Sequence, residues 1–368
     1  MLDKRRLHAS GSPPCTLLLV VALIITGCFS IWLLNTSPAI TLPIPEEVSA
    51  PSYILLSPEN TSGAASGQPF GPGQQLLIQQ IGGASAYSLK ELPSNDETTL
   101  IDMKNFRFTI NHDPCNKSQP LLLMLVHSAP GNFPKRNVVR ETWGRSAPEI
   151  VILFMIGLSD RYQSEILQED RKYMDIIQGN FLDAYRNMTY KHVMALKWAT
   201  YHCSSAKYIL KLDDDVFVNI PAMVDFLKRD LSPWGARRLI LCDLIQTADV
   251  KRSWRSKWRV SPLEYSGRKY PTYCAGWAIL YSPDSVFLLY RQAQKEPYFW
   301  IDDVHVTGTI ARRVNLTHSS LHSWILTGDS MRLMLLDPSK RREFLLGPPD
   351  LTERNIKALQ NFVLSGAT

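Results

Sequence analysis

Short apolar runs alternate with helical patterns between Leu121 and Gln294, and this alternation constrains the fold more than any other feature of the chain. The apolar runs, which we interpret as buried strands, are "LLLMLVHS", "EIVILFMIG", "KYILKL", "RRLILCDLI" and "YCAGWAILYS". Helical patterns such as "KRNVVRETWG" and "PDSVFLLYRQAQ" stand between or after them. Strands without a polar face are typical of parallel sheets that helices cover on both sides. The pattern therefore predicts an α/β fold with a Rossmann-like, mostly parallel sheet and helices on both faces.

An uncharged apolar run, Cys15 to Leu34, follows three basic residues at positions 4–6. Its length suits one transmembrane helix, and the basic residues before it place the N-terminus in the cytoplasm and the rest of the chain across the membrane. A cleaved signal peptide is the alternative, because small residues follow in "NTSPA". The long apolar core and Trp32, an aromatic residue suited to a membrane interface, favour an uncleaved anchor.

Composition divides the chain into segments. Residues 35–115 are rich in Pro, Ser, Gly and Gln and lack a sustained period, as expected for a flexible stem. Beyond them the chain is apolar enough, at 45% hydrophobic residues overall, to bury a substantial core. The predicted segments are a cytoplasmic tail (1–14), a transmembrane signal anchor (15–34), a flexible stem (35–115), a folded domain (116–345) and a C-terminal segment (346–368).

Two residue types agree with a body on the far side of the membrane. Four cysteines lie outside the apolar run, and an even number in an oxidising compartment predicts disulfides, with three pairings open. Zinc is the rival interpretation, but no Cys-x-x-Cys spacing occurs.

The formal net charge of +6 is spread along the chain, so nucleic acid is not an expected partner. The residues that indicate a body across the membrane are the four cysteines, Cys115, Cys203, Cys242 and Cys274, and five glycosylation sequons. The sequons begin at Asn35, Asn60, Asn116, Asn187 and Asn315.

Three consecutive carboxylates, Asp213, Asp214 and Asp215, directly follow the apolar run "KYILKL". Like charges at the end of a buried strand repel each other, which predicts a cation among them. Oxygen ligands in small number suit Mn²⁺, with Mg²⁺ as the alternative, bound jointly by protein and a diphosphate. Strand alternation would turn Asp213 and Asp215 to one side and Asp214 to the other. The alternative is a solvated acidic turn that caps the next helix, although a cap needs one acid and not three.

A second acidic pair, Asp302 and Asp303, stands in "WIDDVHVTG". Taken alone, the two residues are equally well explained as acids at a helix N-terminus, stabilised by the helix dipole. Taken together with the first cluster, they suggest a division of labour. One acidic group would hold a metal, and another, nearby and without metal, would accept a proton.

These residues carry a resemblance to the beta-1,3-glycosyltransferase family, the Golgi galactosyl- and N-acetylglucosaminyltransferases related to the Fringe enzymes. Five stretches match the family pattern in order, and they fall between Leu121 and Asn315. The resemblance implies a GT-A fold for the domain 116–345, a UDP-sugar donor, an inverting mechanism and a Golgi membrane protein of type II with its catalytic domain in the lumen. The matching stretches are "KRNVVRETWG", "FLDAYRNMTYKHVMALKWATYHC", "KYILKLDDDVFVN", "YPTYCAGWAIL" and "DDVHVTG".

The resemblance also implies roles for single residues. The aspartates 213–215 would form the metal motif at the donor site, with Asp215 the direct Mn²⁺ ligand and Asp213 also near the uridine and ribose. Asp303 would be the general base, and Asp302 stands where the family has Glu. Arg136 and Arg140 would lie near the donor pocket, although on spacing alone they could equally form a solvated helix face. The basic segment 251–259 would border the diphosphate or the acceptor, or form a solvated loop.

Two departures from the family pattern affect the predicted site. The family has Ser-Gly-x-Gly-Tyr after the Cys of "YPTYC", whereas this chain has residues 275–279, "AGWAI", with Trp277 as a bulky member. Near the C-terminus the family places a metal-binding His where this chain offers Asp337. His318 and His322 are the other candidates for that position.

The resemblance suggests transfer of galactose from UDP-galactose in beta-1,3 linkage to a glycan on a glycoprotein, glycolipid or proteoglycan. UDP-N-acetylglucosamine is the rival donor, and no residue decides between the two sugars. A rival of another class is a non-catalytic luminal relative with a binding or chaperone-like role. The expected partners are the donor, the glycan acceptor and the membrane, with a homo-oligomer as a further expectation.

Overall fold

The computed structural model describes residues 87–116, 118–145 and 147–366. Within them no helix is long and apolar enough to span a membrane. The predicted tail, anchor and most of the stem lie outside the described residues. The strands are β1 (Phe108–Ile110), β2 (Leu122–His127), β3 (Ile150–Leu158), β4 (Ile176–Leu182), β5 (Tyr208–Asp213), β6 (Ile240–Ile245), β7 (Tyr273–Tyr281) and β8 (Ser319–Ser320).

Helices connect most of these strands. The α-helices are α1 (Phe133–Glu141), α2 (Gln163–Tyr173), α3 (Met188–His202), α4 (Ile220–Phe226), α5 (Pro283–Ala293), α6 (Ala311–Arg313), α7 (Gly328–Leu336) and α8 (Glu353–Ser365). Two π-helical stretches, Leu227–Leu231 and Val304–Ile310, continue α4 and precede α6. Short 3-10 turns occur at Leu89–Glu91, Asp96–Thr98, Tyr185–Asn187, His322–Trp324 and Pro338–Lys340.

In the described part of the chain the sheet is mixed, with four parallel and three antiparallel pairs of neighbouring strands. Its order is β1-β4-β3-β2-β5-β7-β6-β8. The central strands β4, β3, β2 and β5 are parallel neighbours, as expected, but β1 runs antiparallel to β4, and β7 runs antiparallel to both β5 and β6. The prediction of an α/β fold is confirmed. The direction of β7 could not be read from its sequence, because an apolar strand buried on both faces has the same composition in either direction.

Alternate residues of β2 pack into two separate cores. Leu122 and Met124 join a cluster that includes residues of α1, α7 and α8, whereas Leu123 and Leu125 join a cluster that includes residues of α3 and α5. Full burial of each such side chain stabilises the fold by about 1.5–3 kcal/mol. Helices therefore cover both faces of the sheet, as the sequence predicted.

The folded body extends beyond the domain limits drawn from composition. Leu100 and Phe106, in the segment assigned to the stem, are buried, and β1 adds a strand to the sheet edge. At the other end, Ile356 and Leu359 of α8 are buried in the same core as β2. Both boundaries were placed by motif and composition, which do not register short segments that pack through only a few apolar side chains.

Two disulfides form, as expected for the four cysteines outside the apolar run. Cys115 pairs with Cys203 and links the approach to β2 with the end of α3. Cys242 pairs with Cys274 and links the neighbouring strands β6 and β7. The structure thus selects one of the three pairings that the sequence left open.

Candidate active site

A cavity of about 480 Å³ lies beyond the carboxyl end of β5, beside the start of β7. In open α/β sheets this is the edge at which ligands gather. Carboxylates from two distant parts of the sequence, Asp213 and the pair Asp302 and Asp303, meet in its wall. Much of the remaining wall is aromatic, and comprises Tyr185, Trp258, Tyr270, Tyr273, Trp277 and Trp300.

Asp213 is the last residue of β5 and faces the cavity. Its Oδ1 lies 2.9 Å from Nζ of Lys211, which also donates to the backbone carbonyl of Gly276 on β7. Burial raises the pKa of Asp213 to about 6, because the ion pair with Lys211 offsets only part of the loss of solvation and Asp302 adds repulsion. Without another cation, the carboxylate of Asp213 is thus only partly compensated.

Asp214 and Asp215 are held by side chains of α1 and of the loop before it. Asp214 is buried and accepts hydrogen bonds from Ser128 Oγ at 2.7 Å and Asn132 Nδ2 at 2.8 Å. Lys135 Nζ lies 3.4 Å from Asp214 Oδ1 and 2.8 Å from Asp215 Oδ2. Because β5 ends at Asp213, the alternation expected for a strand does not extend to Asp215. Of the three aspartates, Asp213 alone lines the cavity.

Asp302 is held by a histidine of α3. Nδ1 of His192, on α3, lies 2.8 Å from Asp302 Oδ2, and its Nε2 lies 3.3 Å from the hydroxyl of Tyr281. Burial lowers the pKa of His192, so the ring is neutral and the tautomer with a proton on Nδ1 donates to the carboxylate. Burial alone would raise the pKa of Asp302, but His192 and Lys211 outweigh it and hold this pKa below its usual value. Asp302 is therefore an ionised neighbour of Asp303.

Asp303 has the properties of a base that works near neutral pH. Burial and the negative charge of Asp302 raise its pKa to about 7. Its Oδ1 accepts the N–H of Val304 at 2.7 Å, and the carboxylate also accepts a backbone hydrogen bond from Gly276. These bonds fix the carboxyl group at the cavity wall. Two adjacent carboxyls with pKa values moved in opposite directions indicate a division between a fixed charge and a proton acceptor.

Several polar residues of the site were not found by sequence reasoning. Lys135 contacts Asp214 and Asp215, Lys211 contacts Asp213, and His192 contacts Asp302. His127 pairs in register with Asp213 on the neighbouring strand. The sequence signal that could have revealed Lys211 is a charged residue inside an otherwise apolar strand. His127 is buried, and burial together with Lys211 and His192 lowers its pKa well below the usual value. It is therefore a neutral ring beside the charged site.

The two predicted arginines are not part of the cavity wall. Arg136 is fully buried, forms an ion pair with Glu169 at 2.6 Å and donates to Ser128 Oγ at 3.0 Å. Ser128 in turn donates to Asp214, so Arg136 supports the aspartate cluster through one intermediate side chain. Arg140 pairs with Asp175 at 2.8 Å and with Glu169 at 2.7 Å. Neither side chain lines the cavity that Asp213 and Asp303 share.

The C-terminal candidates for a metal ligand are not brought to this cavity. Asp337 is exposed at the end of α7, where its Oδ1 accepts the N–H of Ser339 at 3.0 Å. His318 contacts the carbonyl of Thr307 at 2.6 Å, and His322 is exposed beside Asp243. All three C-terminal candidates therefore lie outside the wall of the cavity that Asp213 lines.

The aspartates fit a divalent cation that the protein binds only in part. Among the described residues, no group of three or more His, Cys, Asp or Glu side chains is arranged to hold a metal ion. The available donors are carboxylate oxygens, which suit Mn²⁺ and Mg²⁺. The raised pKa of Asp213 shows that its charge lacks full compensation by Lys211. Such a donor set suits a cation whose remaining ligands come from a bound phosphate group.

Sequence comparison shows what the chain resembles. A family model described as galactosyltransferase matches residues 134–322. Beta-1,3-galactosyltransferase 2 of Homo sapiens is 32% identical over 218 residues, which cover 56% of this chain and 51% of that protein. Beta-1,3-galactosyltransferase 5 of Gorilla gorilla gorilla is 30% identical over 244 residues (64% and 80%), and beta-1,3-galactosyltransferase 1 of Mus musculus is 31% identical over 241 residues (62% and 73%). The matched part thus spans about half the length of the first of these relatives.

Proposed function

Because the chain belongs to the galactosyltransferase family, we propose that it is an inverting glycosyltransferase of GT-A fold that moves galactose from UDP-galactose, in beta-1,3 linkage, onto a glycan. The resemblance to beta-1,3-glycosyltransferases is confirmed; the activity, the donor and the acceptor are proposals. One observation supports the activity most strongly. Asp213, at the end of a core strand, and Asp303, whose pKa is raised to about 7, line the same cavity.

Asp303 is the proposed general base. It removes the proton from the acceptor hydroxyl as the acceptor oxygen attacks the anomeric carbon of the sugar. The bond between the anomeric carbon and the diphosphate oxygen breaks on the opposite face, and UDP leaves with the electron pair. The new glycosidic bond has inverted configuration, and Asp303 keeps the proton. Ionised Asp302, held by His192, raises the basicity of Asp303 and is not itself consumed.

Asp213 and Asp215 are the residues that would hold Mn²⁺ in this proposal. When bound, the cation neutralises negative charge that develops on the diphosphate. Lys211 fixes the Asp213 carboxylate, and Lys135 fixes that of Asp215. Ser128 and Asn132 hold Asp214, which keeps the turn after β5 in place. Both lysines also bring positive charge to the edge of the sheet at which the diphosphate is expected.

We further propose that the protein is a single-pass type II protein of the Golgi membrane with its catalytic domain in the lumen. The apolar run 15–34 and the basic residues before it support this orientation. The disulfides Cys115–Cys203 and Cys242–Cys274 support an oxidising compartment, because cytosolic proteins rarely keep such bonds.

The test is a transfer assay of the full chain in detergent, with UDP-galactose and UDP-N-acetylglucosamine, each with Mn²⁺, with Mg²⁺ and with a chelator. We expect transfer of galactose that depends on the cation. Asp303→Asn should lower kcat roughly a thousandfold, because the variant keeps the size of the side chain and loses the proton acceptor. Asp329→Asn is the matched control, since Asp329 is exposed on α7 outside the cavity and should be silent.

Two results would contradict the proposal. One is a folded protein that turns over no UDP-sugar with any acceptor, which would favour the non-catalytic role. The other is full activity of Asp303→Asn. A clear preference for UDP-N-acetylglucosamine would keep the enzyme and correct the donor.

A further inference from the structure

The loop between β6 and β7 carries the segment "KRSWRSKWR", residues 251–259, here called the basic loop. Two of its residues, Lys251 and Trp258, line the candidate active-site cavity. The proposed mechanism assigns no role to the basic loop. Its charge and its exposed aromatic residues nevertheless stand at the entrance to the reacting groups.

The basic loop has a defined conformation. The guanidinium group of Arg252 donates to the backbone carbonyls of Val260 at 2.8 Å, Tyr265 at 2.7 Å and Gly267 at 2.8 Å. Val260 is fully buried, and its N–H donates to the carbonyl of Lys251 at 2.8 Å. Arg252 is therefore used as an internal brace. The other cationic side chains of the basic loop therefore extend from a backbone whose conformation Arg252 fixes.

The remaining cations face solvent without acidic partners. Within the described residues, Lys251, Arg255, Lys257 and Arg259 form no ion pair with a carboxylate. The sequence has no Asp or Glu from position 250 to 263, and Glu264 is already paired with Arg186 at 2.9 Å. Asp249, which also lines the cavity, is the one acid directly before the loop. Four like charges on a braced loop repel each other, and an anionic ligand would relieve that repulsion.

The basic loop also exposes large aromatic faces. Trp254 is 76% exposed, and Trp258 is 47% exposed. Arg255 lies over the ring of Trp254 at 5.1 Å, and Lys257 lies over the ring of Trp258 at 4.4 Å. A flat indole gives the apolar face of a sugar ring a surface to pack on, and the cation beside it can bind a charged substituent of the same sugar.

The position of the basic loop relates it to the acceptor rather than to the donor diphosphate. Val260 packs in one apolar cluster with Trp300 and Val304, the residues that flank Asp302 and Asp303. The loop is thus built onto the wall that carries the proposed general base, where the acceptor hydroxyl must lie. The aspartates that would hold the cation and diphosphate are fixed from β5 and α1 instead.

We propose that the acceptor is an anionic saccharide, bearing a carboxylate, sulfate or phosphate group, and that the basic loop binds this group while the sugar stacks on its tryptophans. This inference rests on the proposed function, since it names the acceptor class of the same site. The donor diphosphate is the other source of the same chemistry. A lipid surface is a different class of partner, and the observations favour the saccharide because Lys251 and Trp258 face the cavity.

The test compares matched acceptors and a loop variant in the full chain. Lactose, lactose bearing one sulfate and lactose bearing one glucuronate are assayed with wild type and with Arg255→Gln/Lys257→Gln. We expect the wild type to have a KM roughly tenfold lower for the two anionic acceptors than for lactose, and added salt to reduce this advantage. The loop variant should lose the advantage and keep the KM for lactose and for the UDP-sugar. The matched control is Lys104→Gln/Lys340→Gln, two exposed lysines outside the cavity, which should retain the advantage.

The possible results separate the alternatives. Equal use of neutral and anionic acceptors by the wild type would overturn the inference, as would a loop variant whose defect lies in the KM for the UDP-sugar. If the loop variant lost binding to anionic lipid vesicles and kept the acceptor KM of the wild type, the ligand of the basic loop would be a membrane surface and the saccharide proposal would be wrong. Equilibrium binding of the three saccharides does not need turnover. Selective binding of the anionic pair by an otherwise inactive wild type would therefore contradict the proposed function and keep the basic loop as a binding site for anionic saccharides.

Discussion

Asp303 keeps its proton to a much higher pH than an ordinary aspartate does. The carboxyl group is surrounded by protein and lies beside a second carboxylate, Asp302, which His192 keeps ionised. Both effects oppose the charged form of Asp303, so its pKa is raised to about 7. A base with this pKa is half deprotonated at neutral pH and still strong enough to accept a proton from a hydroxyl group as the bond forms.

This environment predicts an acidic limb in the pH dependence. Only the deprotonated form of Asp303 can act as base, so kcat/KM should rise as pH increases through about 7 and level off above it. Asp302→Asn removes the neighbouring charge and retains an acceptor for His192, so it should move the limb to lower pH. The measurement is kcat/KM from pH 5 to 9 for both proteins. An unshifted limb in the variant would show that Asp302 does not set the pKa of the base.

At the residue scale the sequence indicated the aspartates but not the residues that shift their pKa values. Asp213, Asp302 and Asp303 stood out because acidic residues beside apolar segments need an explanation. His192 stands 110 positions before its partner Asp302 and looks like any polar residue of an apolar helix. Its contact depends on how α3 packs under the sheet, which local pattern does not specify.

At the scale of elements, β7 acts on the site through its backbone. A Cβ atom at Gly276 would lie 3.2 Å from Asp303 Cβ and 3.3 Å from Asp303 Oδ2. The same residue receives a hydrogen bond from Lys211 and donates one to Asp303. A residue without a side chain at this position therefore allows the strand to approach Asp303 closely.

Gly276→Ala should impair the reaction more than the fold. The added methyl group forces Asp303 to move by a few tenths of an ångström, and misplacement of this order can reduce kcat by about tenfold or more. Gly328→Ala is the control, because the nearest atom to its Cβ, on Arg332, is 3.9 Å away. The measurements are the transfer rate and the thermal midpoint of unfolding of both variants. Similar loss of activity in the two would contradict this account.

Element prediction from sequence succeeded where the pattern was long. The helices α1 and α5 and the strands β2, β3, β5, β6 and β7 lie where the spacing of apolar residues predicted them. The strand β4 was missed, because Gln178 and Asn180 interrupt its apolar run. Gln178 is nevertheless fully buried, and its side-chain amide donates to the carbonyl of Gly157 at 2.9 Å. Its Oε1 also accepts hydrogen bonds from Thr109 on β1 and Gln163 on α2, so partners distant in sequence make the position acceptable for a polar residue.

At the scale of the whole molecule, the two disulfides should differ in what their loss affects. The Cys115–Cys203 disulfide joins residues 88 positions apart in the sequence, and neither cysteine lines the cavity. Cys274, in contrast, directly precedes cavity residues of β7. Replacing Cys115 and Cys203 with Ser should lower the free energy of unfolding by about 4 kcal/mol and leave kcat nearly unchanged. Replacing Cys242 and Cys274 with Ser should lower both the free energy of unfolding and kcat. Denaturant unfolding and transfer assays on the two double variants test this, and equal kcat values would refute the distinction.

Lys135 gives the molecule a resident counter-ion for Asp214 and Asp215. A chelator should therefore abolish transfer and leave the thermal midpoint nearly unchanged, because these carboxylates stay paired. A large fall in the midpoint would show instead that the fold depends on the metal. Under the proposed function, Lys135 would let the protein fold before it binds the divalent cation. On the same proposal, a shortage of the cation would stop transfer reversibly and leave the protein folded.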